Sequence, residues 1–227
     1  MISLIIPALN EEKAIEALLV NITALSGAKD VVVADGGSTD RTKELSTPFA
    51  TVVDCPRGRG PQCNFGASRA VGDIFFFLHA DSLLEHDALH KIELAVAQGV
   101  KWGCLKLRFD DAHWFPRLIA WASNKRVRLC GIAFGDQGIF ITRGLFEQLG
   151  GFPDLPLMED YQLSLILRER KIAPIQVNSY IVSSARRFID GGFLRVIMQM
   201  RRLRKLYRRG ADICDIKAMY RDIRYAE

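Results

Sequence analysis

The sequence predicts an α/β protein with a Rossmann-like, mostly parallel central sheet, helices on both faces, and amphipathic helices toward the C-terminus. Three observations carry this. Short continuous apolar runs alternate with segments of helical periodicity through roughly the first hundred residues. Parallel strands covered on both faces read as such runs, and crossover helices cover them. Polar and acidic residues collect where those runs end, at the edge where open α/β sheets bind their ligands. A strongly basic stretch near the C-terminus keeps apolar residues at three- and four-residue spacing.

Residues 3–7, Ser-Leu-Ile-Ile-Pro, read as a buried strand closed by proline. Asn10 reads as the N-cap of a helix whose apolar positions are Ile15, Leu18, Leu19 and Ile22. Residues 31–35 are a second strand, 36–40 a turn, 42–45 a short helix and 51–53 a third strand. Arg57-Gly-Arg-Gly60 is a loop, 62–71 a helix, and 73–79 a very apolar fourth strand. After about Gly99 the alternation loosens. Strands are predicted over 101–109 and 138–142, and helices over 115–128, 160–170 and 193–209.

A chain of 227 residues suits one domain, and a hydrophobic fraction of 49 % can build its core. The five cysteines are odd in number and form no CxxC pair. A disulfide framework is therefore not expected, and a cytoplasmic, reducing location is. The apolar start, Met1 to Ala8, has no basic segment before it, and no apolar run approaches the ~20 residues that cross a bilayer. From Arg186 to Glu227 there are 12 basic and 5 acidic residues, so the net charge of +5 resides in the tail. This argues against a nucleic-acid binder and for one local basic patch. In that tail Phe193, Val196, Ile197, Met200, Leu203 and Tyr207 form an apolar stripe among arginines. Two readings stay open: docking on an anionic membrane surface, at ~1 kcal/mol per basic residue, or packing against the rest of the chain.

The candidate site lies at three strand ends. They are Pro7-Ala8-Leu9-Asn10-Glu11, Asp35-Gly36-Gly37-Ser38-Thr39-Asp40 and His79-Ala80-Asp81. Taken singly, each also reads as a helix cap or a tight turn. Three acidic strand ends on one edge are hard to explain by packing. Beside a diphosphate a carboxylate is repelled, unless it binds a cation or contacts a sugar or base. Gly135-Asp136-Gln137-Gly138 precedes an apolar strand; its glycines permit close approach of a substrate, and Asp136 and Gln137 offer hydrogen bonds to hydroxyls. A plain turn fits the same four residues. Arg186-Arg187 suits either a phosphate or solvent. Trp102, Trp114 and Trp121 read as core or pocket wall, and His86, His90 and His113 show no ligand spacing.

Together with Met158-Glu159-Asp160, these motifs resemble a family 2 glycosyltransferase of the GT-A fold, over roughly residues 1–190. The resemblance implies a catalytic domain over 1–190, with a nucleotide-binding half (1–98) and an acceptor-side half (99–190), followed by a basic helical appendage over 191–227. It implies that Pro7, Asn10, Glu11, Gly36, Arg59 and Ala80 line the nucleotide-sugar pocket. Asp35 would take a hydrogen bond from the base, uracil before guanine. Asp81 would hold a divalent cation, Mn2+ or Mg2+, on the diphosphate. Asp160, beside Glu159, would be the base that deprotonates a hydroxyl acceptor, giving inversion. The chemistry agrees: displacement at an anomeric carbon needs a base on the acceptor side and charge stabilisation on the leaving diphosphate. The acceptor is expected to be a hydroxyl compound, with a lipid-linked one among the candidates, and the enzyme to sit at the inner face of a membrane or free in the cytoplasm. One departure stands out. The first acid of the family's metal motif is His79 here; a histidine can ligate Mn2+ but suits Mg2+ poorly, and His79 reads more readily as a neighbour of the ion's ligands or as a strand residue. A nucleotidyltransferase would want a glycine-rich loop with a lysine after the first strand, and Pro7-Ala-Leu-Asn-Glu-Glu12 has neither. A non-catalytic binding module would leave Asp35, Asp81 and Asp160 unexplained.

Overall fold

The computed structural model describes residues 1–220, the side chain of Arg187 aside. The expected appendage over 191–227 therefore extends, at residues 221–227, outside the described residues.

Strand β1 (Ile2–Ala8) sits inside an eight-stranded sheet. Its side chains alternate between two cores, as strand geometry requires. Leu4 and Ile6 join Ile15, Leu18, Leu19 and Ile22 of helix α1 (Ile15–Ala24) on one face. Ile5 joins the other face, with Cys63 and Ala67 from a later helix. β1 pairs in parallel with β2 (Lys29–Asp35). Helix α2 (Thr42–Ser46) leads to β3 (Thr51–Asp54), parallel to β2. Helix α3 (Arg59–Arg69) crosses back to β4 (Ile74–Phe77), parallel to β1 on its other side.

Beyond β4 the direction changes. The chain runs through β5 (Leu83–Leu84), α4 (Ala88–Ala97), β6 (Trp102–Phe109) and α5 (Trp114–Cys130). After a 3-10 turn at Gly135–Gln137, β7 (Ile139–Thr142) inserts antiparallel between β4 and β6. Helices α6 (Arg143–Leu149) and α7 (Glu159–Glu169) precede β8 (Ile175–Ser183), which lies parallel to β6 and antiparallel to β5. The order is β3-β2-β1-β4-β7-β6-β8-β5. The sheet is parallel in its first half and mixed in its second.

Helices α8 (Arg186–Gly191), α9 (Phe193–Arg208) and α10 (Ile213–Met219) close the described chain. Leu203 and Ile216 are buried in one cluster with Ile132, Met158 and Tyr161. Tyr207 Oη donates to Gln162 Oε1 at 2.8 Å. Burying a leucine or isoleucine contributes ~1.5–3 kcal/mol. Of the two readings of the basic helix, its apolar stripe thus packs on the rest of the chain.

Three local expectations change. Asn10 is not a cap: it is left-handed at φ 53°, five residues before α1, whose N-cap Ala14 makes no side-chain bond. Arg59 and Gly60 belong to α3, not to a loop; a Cβ on Gly60 would lie 2.8 Å from the Pro153 carbonyl oxygen, so glycine there serves close packing. Trp102 is fully buried and Trp121, though exposed, lines a surface cavity with Arg117 and Tyr180, but Trp114 is simply exposed.

Candidate active site

The three strand ends are laced together. Asn10 Oδ1 accepts from the Thr39 amide at 2.9 Å, and the Asn10 amide donates to Ser38 Oγ at 2.9 Å. The Glu11 amide donates to Thr42 Oγ1, and the Glu12 amide to Asp40 Oδ2. Gln62, buried on α3, donates from Nε2 to the carbonyls of Ala8 and Ala34, holding the ends of β1 and β2 side by side. No sequence motif marked Gln62; its role appears only once α3 lies under both strands.

Asp35 is fully buried at the end of β2. Its Oδ1 accepts from the amides of Gly37 (2.9 Å) and Ser38 (2.8 Å). Its Oδ2 is buried with no hydrogen-bond partner among the described residues. Leaving a buried acceptor unsatisfied costs ~1–3 kcal/mol, more when it is charged, and a ligand N–H would remove that cost.

Beside this lies an open chamber of about 530 Å³. Its wall takes Pro7, Ala8, Leu9 and Glu11 from the end of β1, Arg57 and Arg59 from around the start of α3, and His79 and Ala80 after β4. Asp154–Leu157 and, from the C-terminal helices, Lys217 and Tyr220 complete it. Asn10, Asp35 and Gly36 do not line the chamber themselves. They adjoin it through Ala8, whose carbonyl accepts from the Gly36 amide at 3.0 Å, and through Gln62.

A second, tighter chamber of about 160 Å³ shares Arg59, His79, Leu157, Glu159 and Tyr220 with the first. Asp81, Asp136 and Asp160 line it, among Phe109, Phe134, Phe188 and Met200. Asp160 sits in the first turn of α7, after Met158, a buried residue held left-handed at φ 70°. Its Oδ2 accepts from the Gly135 amide at 2.8 Å and its Oδ1 from the Tyr161 amide at 2.6 Å. A Cβ on Gly135 would stand 2.6 Å from His79 Nε2 and 3.5 Å from Asp160 Oδ2. The glycine thus lets the turn press against both groups.

Glu159 is buried and pairs with Arg59, Nη1 to Oε1 3.3 Å. Burial, then the neighbouring Asp160, raise its pKa above the usual carboxylate value while Arg59 opposes them. Burial alone would lower the Arg59 pKa, but Glu159 holds it above the ordinary value. Glu159 therefore anchors an arginine that reaches into both chambers.

Among the described residues no three His, Cys, Asp or Glu side chains form a metal-holding group. Asp81 and His79 border the tighter chamber, and a hard cation retaining water and phosphate oxygens can be held by one or two such side chains. The residues fit a cation that arrives with a diphosphate, and do not fit an all-protein cage.

Gln137 differs from the expectation of a sugar contact. It is fully buried, accepts from Arg126 Nη2 at 2.8 Å, and lines neither chamber. It braces the turn that presents Asp136. Arg186 is exposed and also lines neither chamber. Lys217 and Tyr220 entered no sequence motif, and Arg204 entered only as part of the basic helix, because they come from helices that reach the site through tertiary packing.

Comparison with known proteins gives the family and the fold. Residues 3–144 match the family described as Glycosyl transferase family 2. The probable glycosyltransferase YdaM of Bacillus subtilis is 26 % identical over 196 residues, which cover 72 % of this chain and 46 % of that protein. The chain thus spans about half of that relative's length. Among solved structures, the mannosyltransferase PcManGT from Pyrobaculum calidifontis, in complex with GDP-Man and Mn2+, superposes with a TM-score of 0.65 at 22 % identity, over 89 % of this chain and 60 % of that one. Glucosyl-3-phosphoglycerate synthase from Mycobacterium tuberculosis, with Mn2+, UDP and glucosyl-3-phosphoglycerate, gives 0.63 at 21 % identity, over 93 % and 81 %.

Proposed function

The chain belongs to glycosyl transferase family 2, and from that premise we propose that it transfers a sugar from a nucleotide diphosphate donor to a hydroxyl acceptor, with inversion. The observation that carries this reading is the pair of joined chambers, with a buried, unsatisfied Asp35 carboxylate oxygen beside one and Asp160 in the other. Asp35 Oδ2 accepts the N–H of the base, uracil by preference, at the rim formed by Pro7, Asn10, Glu11 and Gly36. The diphosphate lies toward Arg59, Ala80 and Asp81. The positive end of α3 and the guanidinium forks of Arg57 and Arg59 favour its charge there. Asp81, with His79 as a second ligand, would hold Mn2+ in preference to Mg2+, and that ion would supply charge neutralisation on the departing diphosphate. Asp160, fixed by the Gly135 and Tyr161 amides, takes the proton of the acceptor hydroxyl as its oxygen attacks the anomeric carbon. Glu159 sets Arg59 in place, and Asp136 contacts the acceptor or the sugar.

The test is nucleotide release from a panel of UDP- and GDP-sugars with Mn2+ or Mg2+, in the presence of mixed hydroxyl acceptors. The reading expects release with one donor and its loss in Asp160→Asn. Unchanged release in that variant would contradict it.

No helix among the described residues is long and apolar enough to cross a membrane. We further propose that the enzyme sits peripherally on an anionic membrane face, where a lipid-linked acceptor would be met. The inward apolar stripe of α9 cannot serve for this. Its opposite face exposes Leu194 and Met198, and α5 exposes Trp114, Leu118 and Trp121. The starts of the two helices meet at Phe115 and Phe193, ring centroids 4.7 Å apart. Neither helix contains an acidic residue, and exposed tryptophan with basic residues suits a lipid interface. Absence of co-sedimentation with phosphatidylglycerol vesicles at low salt would remove this assignment.

A further inference from the structure

Resting on the transferase reading, we propose that the acceptor bears an anionic group, a phosphate or a carboxylate, and that Arg204 holds it in the tighter chamber. Arg204 projects from α9 and lines that chamber. Its Nε donates to the Met200 carbonyl at 3.2 Å, and its guanidinium carbon lies 5.2 Å from the centre of the Phe134 ring. Arg126 lies 3.9 Å from the same ring. Phe134 therefore bears two guanidinium groups.

Among the described residues Arg204 forms no ion pair. This sets it apart from Arg59, the other arginine of the chamber, which Glu159 engages. Burial, then Arg126, lower the Arg204 pKa; Tyr161 opposes them, and Arg201 and Arg208 add to the lowering. Asp136 and Asp160 act on Arg126. Arg201, Arg204 and Arg208 stand at i, i+3 and i+7, on one side of α9. The helix thus carries a basic stripe from solvent into the chamber.

A half-buried guanidinium beside Arg126, with no carboxylate paired to it among the described residues, is electrostatically unfavourable until an anion enters. Its planar fork matches a phosphate or carboxylate at two points. The surroundings fit the remainder of such a molecule. Phe109, Phe188 and Met200 give apolar walls, and Asp160 accepts the hydroxyl proton. A space of about 160 Å³ admits a compact group. The inference therefore narrows the acceptor from any hydroxyl compound to one with an anionic group close to the hydroxyl.

The experiment is calorimetric titration of the full chain with inorganic phosphate, with and without saturating UDP. Saturable binding is expected, weaker by at least about tenfold in Arg204→Met, as for loss of a charged hydrogen bond. Arg202→Met, an exposed arginine on the same helix, is expected to match the wild type. No saturable phosphate binding, or equal binding in Arg204→Met, overturns the proposal. Should Arg204→Met lose UDP as well, Arg204→Lys decides. Weaker phosphate binding with UDP affinity intact supports the assignment, and unchanged phosphate binding overturns it. Vesicles separate the sources of the anion. Sedimentation with phosphatidylglycerol but not phosphatidylcholine, reduced by Arg204→Met alone, assigns a lipid headgroup. Phosphate binding without that difference assigns a soluble ester. Failure of the wild type to bind UDP counts against the transferase reading; UDP binding without phosphate binding counts against this one.

Discussion

Most of the wider chamber's wall comes from strand ends and a helix start within the first 80 residues, joined by hydrogen bonds between neighbouring loops. The tighter chamber draws on six separate segments between Phe109 and Tyr220, three of them in or next to helices α8, α9 and α10. The first is local and held by backbone bonds. The second is assembled by tertiary packing, with the cluster of Leu203, Ile216, Met158 and Tyr161 behind it. Donor binding and acceptor chemistry are therefore expected to fail separately.

The sharpest separation comes from Asp160→Asn. It is expected to lower transfer by roughly 10²–10⁴-fold, the range of general-base catalysis, with UDP affinity unchanged. Steady-state release and calorimetry on the same preparation check this. Next is Leu203→Ala, which opens a cavity behind the tighter chamber. A loss of ~2–5 kcal/mol is expected from truncating a fully buried leucine, measured by urea unfolding. Transfer should drop while UDP binding at low temperature persists. Equal loss of both would mean the chambers are one cooperative unit. Asp35→Asn works from the other side. Its amide oxygen still accepts from Gly37 and Ser38, but an –NH2 then faces the base N–H. UDP affinity should fall ~10-fold or more, with little change in unfolding.

The smallest effect is on pH. Burial and Asp160 raise the Glu159 pKa, so the folded protein binds this proton more tightly than the unfolded chain. Its contribution then favours folding at low pH and is lost as pH rises from the ordinary carboxylate value through the raised one. In that window Glu159→Gln should show a flatter dependence of Tm on pH than the wild type. An unchanged slope would assign the dependence to other groups.

The same contrast explains what was legible in the sequence. β1, α1, β2, α2, β3 and β4 announced themselves because each is a short apolar or periodic run, and Asp35 and Asp81 stood at their ends. β8 was missed: Gln176, Asn178 and Tyr180 interrupt its buried positions, so it reads as an irregular polar stretch. The antiparallel insertion of β7 was illegible, since a strand's own residues do not state which neighbour it pairs with. The Asn10 cap failed because side-chain bonding to Thr39 and Ser38, across 28 or 29 residues, won over the local helix start. Gln137 had the polarity of a ligand contact, but Arg126 claims it from another helix. Lys217 and Tyr220 carry no motif, Arg204 reads only as one arginine of a basic helix, and only the packing of α9 and α10 brings them to the chambers.

The central claim is that the strand-end chamber holds a nucleotide diphosphate through Asp35. Thermal unfolding with UDP and GDP, with and without Mn2+, measured on the wild type, Asp35→Asn and Asp160→Asn, tests it most directly. A ligand at a hundred times its Kd adds ~2.7 kcal/mol. The account predicts that shift with UDP in the wild type and Asp160→Asn, and a much smaller one in Asp35→Asn. No shift with either nucleotide, or an equal shift in Asp35→Asn, would contradict it.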